Sequence, residues 1–411
     1  MIAAPHPFQI MAKPIGPRCN LDCTYCYYLE KERLYPETKR FTMSEAVLEA
    51  FVKNHIASQS IFGLPEIEFV WQGGEPTMLG IDFFRKAVAF QKEYVPSGTL
   101  IKNSLQTNGT LLDAEWARFF KDNGFLIGFS IDGPQDLHDA YRVDRAERGS
   151  FAKVMAGLEH LQAHGVDYNT LTVVNRRNSQ AAREVYRFLK KIGSRYMQFI
   201  PLVERSADGE TLAGAPQIDE DGVEYKVTPW SVLPRTYGDF LCAIFDDWIA
   251  ADVGEVFVQF FEVQLGLWLG QPARLCWYAE TCGNALVIEH NGDLYACDHY
   301  VYPQFRLGNV MDTPAAILAN SAEQKRFGEA KRETLPRQCR ECEYRFACHG
   351  ACPKQRFLKT SDGEPGLSYY CRSHLRFFRH AAPKLRAMAE LYRQGRPIAD
   401  IMATPASGRK A

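Results

Sequence analysis

Hydrophobic and polar positions in the first half of the chain alternate between two periods. Apolar residues recur at every second position over 8–15, 66–71, 101–106, 126–131, 168–174 and 196–203, which predicts six strands. Over 44–58, 83–94, 113–123, 151–164 and 180–192 the repeat lengthens to about 3.6 residues, which predicts amphipathic helices, the fourth stopped by Gly165. Strands separated by helices in this way read as βα units around a parallel sheet, an α/β class. With right-handed crossovers, six such units curl into a barrel or partial barrel; a doubly wound open sheet fits the same periodicity.

Past residue 204 the pattern dissolves into polar, Gly- and Pro-bearing sequence up to 234, which reads as a long loop. Helical periodicity returns over 237–251. Beyond 271 the texture becomes cysteine-rich, and Asn291-Gly292-Asp293 between 286–288 and 294–295 predicts a hairpin. A last helix is expected over 372–393, and 403–411 reads as a frayed end. These changes divide the chain into a βα-repeat domain over 1–235, a helical connector over 236–270, a cysteine-rich domain over 271–385, and a helix end and tail over 386–411.

A length of 411 residues is enough for more than one core, and 46% hydrophobic with 24% charged residues is ordinary for a globular protein. The net charge of −1, with Lys and Arg dispersed, gives no electrostatic case for nucleic acid. Residues 1–16 lack the basic and apolar regions of a secretory leader, and no run of about 18 apolar residues occurs. The expectation is a cytoplasmic protein without membrane or nucleic-acid partners. Cysteine changes that picture. Of 12, three lie between 19 and 26, eight between 276 and 371, and Cys242 stands alone in a helical stretch, where it reads as a buried thiol. A chain this long in a reducing compartment needs no disulfide scaffold, so clustered cysteines point to metal.

Cys19, Cys23 and Cys26 form a C-x3-C-x2-C loop directly after the first strand, where such barrels carry their active-site loops. Three thiolates leave a cubane iron–sulfur cluster one ligand short, and an iron with an open position can chelate a small molecule. A zinc ion completed by a distant ligand such as His6 is the alternative. In Gly73-Gly74-Glu75-Pro76, at the end of the second strand, the glycines let backbone approach a ligand and Glu75 offers an acceptor for an ammonium group. The second group (Cys276, Cys282, Cys297, Cys339, Cys342, Cys348, Cys352 and Cys371) supplies enough thiolates for two fully ligated cubanes or two structural zinc sites.

The 19–26 loop and the Gly-Gly-Glu-Pro segment resemble the radical S-adenosylmethionine (SAM) superfamily, and C-x2-C-x5-C-x3-C over 339–352 followed by Cys371 resembles its SPASM extension. Lys13-Pro14, Cys26-Tyr27-Tyr28-Leu29-Glu30, Trp71-Gln72, Gln106-Thr107-Asn108-Gly109-Thr110, Cys297-Asp298-His299 and Gly350-Ala351-Cys352-Pro353-Lys354 carry the likeness further, and over 12–371 the chain resembles the anaerobic sulfatase-maturating enzymes. That resemblance implies a partial (β/α)6 TIM-type radical SAM barrel with a C-terminal cysteine-rich SPASM domain. It implies three [4Fe-4S] clusters: one on Cys19, Cys23 and Cys26, one on Cys276, Cys282, Cys297 and Cys352, and one on Cys339, Cys342, Cys348 and Cys371. SAM would lie against Tyr25, Gly73, Gly74, Glu75, Ser130, Asp132 and Arg142, with Tyr28 and Gln72 near the substrate and Asp298 as general base.

The activity so implied is radical SAM oxidation, through a 5′-deoxyadenosyl radical, of a Cys or Ser in a C/S-x-P-x-R motif of an unfolded sulfatase to Cα-formylglycine. A low-potential donor such as flavodoxin or ferredoxin would supply electrons. Burial would tune Asp298 upward toward the range of a useful base; without the resemblance it reads as a turn residue at a hairpin end. Two other readings use the same cysteines. SPASM relatives form thioether or carbon–carbon crosslinks in ribosomal peptides, and a non-catalytic electron carrier would need the clusters but leave Glu75 and Arg142 without a purpose.

Overall fold

The computed structural model describes residues 7–208, 212, 214 and 224–403. His6, much of the irregular stretch over 204–234 and the end over 404–411 lie outside the described residues. Six parallel strands form the frame: β1 (Gln9–Lys13), β2 (Glu66–Trp71), β3 (Leu100–Thr107), β4 (Phe125–Ser130), β5 (Tyr168–Val174) and β6 (Tyr196–Pro201). Their spatial order follows chain order. A doubly wound sheet would reverse order at a switch point, so the singly wound partial barrel is the arrangement present. Helices start where side chains can cap them: the Val47 N–H donates to Ser44 Oγ ahead of Glu45–Ser60, and Asp113 accepts from Glu115 and Trp116 ahead of Ala114–Asp122.

Strand parity decides which side chains reach the interior. On β1, Ile10 and Ala12 are buried among the hydrophobic core, while Gln9, Met11 and Lys13 line internal cavities. On β2, Phe69 and Trp71 meet Phe51 and Phe84 of the flanking helices edge to face, leaving Val70, and Gln72 just past the strand, inward. Each fully buried aromatic of this layer contributes about 1.5–3 kcal/mol.

The cysteine-rich segment does not stand apart from this sheet. A small hairpin, β7 (Arg205–Ser206) with β8 (Lys226–Val227), precedes helix Pro234–Ala251, and β9 (Phe257–Val258) then adds to the β6 edge. At the other edge β10 (Ala285–Glu289) pairs in parallel with β1, and the expected hairpin through Gly292 attaches β11 (Asp293–Tyr295) and β12 (Arg306–Asn309). Helix Cys371–Arg393 packs on Pro234–Ala251. Cys242 is buried there, next to the Arg376 carbonyl. Among the described residues no helix is long and apolar enough to cross a membrane.

Candidate functional site

The loop after β1 is held by backbone rather than by packing. The Gly74 N–H donates to Gly16 O and the Glu75 N–H to Arg18 O, both at 2.8 Å. A Cβ on Gly74 would fall 1.8 Å from the Arg18 carbonyl oxygen, so no other residue fits while the two loops stay this close. Asn108 completes the clamp: its Nδ2 donates to Asn20 Oδ1 at 2.9 Å and lies 3.7 Å from Cys19 Sγ. Cys19, Cys23 and Cys26 then line one cavity of about 210 Å³ together with Tyr25, Tyr28, Gln72, Gly73, Gly74, Ser130 and Arg142. Burial, helped by the Glu75 carboxylate, pushes the Cys19 thiol up to about 12 and raises Cys23 and Cys26 as well. Thiols in such a place ionise only against a cation, the condition an iron core supplies.

Two expected SAM contacts stand behind this wall instead of in it. Glu75 is 0% exposed and accepts from the Thr77 N–H (3.1 Å), the Thr77 hydroxyl (2.6 Å), the Thr107 hydroxyl (2.7 Å) and the Asn108 N–H (2.7 Å). So engaged it ties β2 to β3, and it is not among the residues that line the cavity. Asp132, also buried, accepts from Tyr25 OH at 2.6 Å and from the Val173 N–H at 2.9 Å, and pairs with Arg142 Nε at 3.0 Å. It therefore orients Tyr25 and Arg142, which do face the cavity.

The far wall comes from the cysteine-rich segment: Trp277, His299, Lys354 and Gln355. Behind it a second, mostly apolar cavity of about 280 Å³ is lined by Cys276, Cys282, Cys297, Cys352 and Asp298, and shares Ile200, Pro201, Trp277 and His299 with the first. Cys352 thus sits with the earlier three cysteines, not with Cys348. Cys339, Cys342, Cys348 and Cys371 form a separate group whose charges act on one another. Burial again dominates, raising Cys348 and Cys352 to about 12. The thiols ring spaces and do not converge on points: among the described residues no three His, Cys, Asp or Glu side chains are placed to hold a single ion.

Between the two cavities runs a polar string whose connections nothing in the sequence shows. Lys13, 2% exposed, pairs with Asp298, donates to Gln72 Oε1 at 2.9 Å and lies 3.8 Å from the Tyr28 ring centroid. Gln72 continues to Gln106, and the Tyr28 hydroxyl donates to Glu289, so neither is free. Tyr27 OH donates to Asp298 Oδ2 at 2.8 Å. The upward tuning expected of Asp298 is not found. Burial raises its carboxyl, but the Lys13 ammonium, reinforced by His299 and the bond from Tyr27, holds it well below the usual carboxylate range. Lys354, paired with Glu204 and 4.1 Å from the Tyr27 ring centroid, closes the outer rim. Period-two parity could have exposed Lys13 as an inward lysine on a buried strand; nothing local marks Glu204 or Trp277.

Comparison with known proteins agrees with this geometry. The radical SAM superfamily model matches residues 14–189, and an iron–sulfur cluster-binding domain model, SPASM, matches 276–343. A serine-type anaerobic sulfatase-maturating enzyme of Bacteroides thetaiotaomicron is 45% identical, the match spanning 96% of this chain and 94% of that protein. A cysteine-type enzyme of Clostridium perfringens is 32% identical over 92% of this chain and 97% of its own. The solved structure of native anSMEcpe with bound AdoMet and Cp18Cys peptide superposes with a TM-score of 0.80 at 31% identity, covering 94% of this chain and 99% of that one. Streptococcus suis SuiB bound to its precursor peptide SuiA, at 14% identity and a TM-score of 0.58 over 89% of this chain and 76% of that one, shares the fold. A three-cysteine loop clamped to a di-glycine turn, facing a cysteine-rich wall and matched along nearly its whole length, makes this chain a radical SAM enzyme and a member of the anaerobic sulfatase-maturating family.

Proposed function

We propose that the protein oxidises a serine, or a cysteine, within a C/S-x-P-x-R motif of an unfolded sulfatase to Cα-formylglycine, with serine preferred. The observation that carries this reading is the single cavity in which the Cys19, Cys23 and Cys26 loop faces Trp277, His299 and Lys354 of the other segment, with Asp298 just behind. Higher identity to serine-type relatives, 45% and 37% against 33% and 32% for cysteine-type ones, supports the preference. In this reading all three cysteine sets hold [4Fe-4S] clusters. Cys19, Cys23 and Cys26 would hold the cluster that binds SAM, and the pair would supply the radical chemistry that takes a hydrogen atom from the substrate Cβ. Tyr25, Gly73, Gly74, Ser130 and Arg142 hold SAM, with Glu75 and Asp132 supporting them from behind.

Asp298 accepts the proton of the substrate hydroxyl or thiol. A low-pKa carboxylate is a weak base, but a carbon radical losing an electron makes its attached O–H strongly acidic, so an ionised carboxylate suffices. Lys13 keeps Asp298 ionised, and Tyr27 aims it. Cys276, Cys282, Cys297 and Cys352 would hold the cluster that supplies an acceptor for the substrate's electron, and flavodoxin or ferredoxin would prime the first cluster. The crosslinking alternative has only fold-level likeness behind it. Anaerobic incubation of reconstituted protein with SAM, a strong reductant and S-x-P-x-R or C-x-P-x-R peptides, followed by mass spectrometry, tests the reading. Formylglycine with free 5′-deoxyadenosine is expected, faster from serine. Deoxyadenosine with an unaltered peptide would refute this substrate.

A further inference from the structure

Arg356 is 6% exposed, and among the described residues no carboxylate forms an ion pair with it. All its bonds go to main-chain carbonyls: Nε to Gly350 at 2.8 Å, Nη1 to Lys331 at 2.6 Å, Nη2 to His349 at 2.6 Å and to Ala351 at 3.1 Å. Three of those carbonyls belong to consecutive left-handed residues, His349 (φ 44°), Gly350 (φ 72°) and Ala351 (φ 56°), two of them not glycine. Such a run is strained and persists only when its surroundings hold it. A Cβ on Gly350 would lie 2.8 Å from Arg356 Nη2, so the loop is wrapped tightly round the guanidinium. This loop is the whole connection between Cys348 and Cys352, which belong to different cysteine groups. The guanidinium charge acts on Cys282 and Cys352 of one group and on Cys339 and Cys348 of the other. Lys331, equally buried, donates to the carbonyls of Cys276 (2.5 Å) and Trp277 (3.0 Å), placing a second cation on the same string.

A buried cation without a carboxylate is costly unless other negative charge balances it. Thiolate-ligated clusters carry that charge. We infer that Arg356 is a positioning residue shared by the two auxiliary sites, holding the loop that joins them and raising the reduction potential of the clusters bound there. The inference rests on the proposal that both cysteine groups hold clusters. A nearby fixed positive charge favours the more negative, reduced state of a cluster, and so favours electron acceptance.

Redox titration of the reconstituted holoenzyme, followed by electron paramagnetic resonance, tests it on R356K and R356Q. Neither variant can make all four carbonyl bonds, but only R356K keeps the charge. R356Q should lower the midpoint of at least one auxiliary cluster by more than about 59 mV, a tenfold change in a one-electron equilibrium, with R356K shifted by less than half as much. Equal shifts in both, or none in R356Q, would overturn the inference. If R356Q takes up no iron at these sites, R356K carries the test: a near-wild-type potential supports it, and a drop beyond about 59 mV despite the retained charge defeats it. A wild-type protein holding only its first cluster would sink the cluster reading and this inference together. Full iron content without formylglycine would sink the substrate reading alone.

Discussion

At the scale of single residues, the site uses charges that are already spoken for. Asp298 is bound by Lys13 and Tyr27, Glu75 by Thr77, Thr107 and Asn108, and Asp132 by Tyr25 and Arg142. Such groups resist reorientation, which suits a cavity that must hold a reactive radical away from its own walls. For Asp298 the consequence is measurable. D298N keeps the shape and the bond from Tyr27 but cannot take a proton, so formylglycine formation should fall about 10²–10⁴-fold while 5′-deoxyadenosine still appears. Parallel loss of deoxyadenosine would show that Asp298 serves SAM binding instead. From the sequence, Asp298 was visible through its neighbour Cys297; the sign of its pKa shift was not, because Lys13 lies 285 positions earlier, at the end of β1.

At the scale of elements, two closely apposed loops set the geometry of the three-cysteine site. The 16–18 and 73–75 segments exchange backbone hydrogen bonds at a separation that only a residue without Cβ permits. G74A should therefore push the loops apart, costing about 1–3 kcal/mol of stability, and should weaken SAM binding as read by equilibrium dialysis. Unchanged SAM affinity in a folded G74A protein would refute the coupling. The strands and helices behind these loops were legible because their periods are strong: β2 and β5 match the predicted spans, and most other ends differ by one to two residues. Helices Gln259–Trp268 and Ala322–Glu333 were harder to see. The first is apolar on nearly every face and the second polar on most, so neither shows a clear 3.6-residue stripe.

At the scale of the whole molecule, Cys352 ties distant parts of the chain into one cavity. C352A should lower bound iron by about four per chain and abolish peptide oxidation while SAM cleavage continues; iron analysis with Mössbauer spectroscopy checks both the number and the cluster type. Loss from the Cys371 group instead would refute the pairing. Stability should also depend on pH in a definite direction. Burial holds His55 near 4 and, with Arg142 beside it, His138 near 3, below the ordinary value of about 6.5. Both are neutral when folded. Below about pH 6.5 the unfolded chain binds protons the native state refuses, so stability is full above that pH and falls toward pH 4. Each histidine accounts for about 2 kcal/mol between pH 7 and 5. Urea unfolding at the two pH values should show H55Q losing less than the parent; an equal loss would exclude His55 as a source.

The sequence by itself determined the βα repeat, the three-cysteine loop and the eight-cysteine tail, because hydrophobic period and thiol spacing are local properties of the chain. Tertiary structure alone decided three things. It attached the connector to one edge of the barrel sheet through β9 and the cysteine-rich segment to the other through β10, placed Glu75 and Asp132 behind the cavity wall, and lowered Asp298 through Lys13. Each of these depends on which segments touch across tens to hundreds of residues. Long-range strand pairing and Coulomb contact leave no period in the sequence to read.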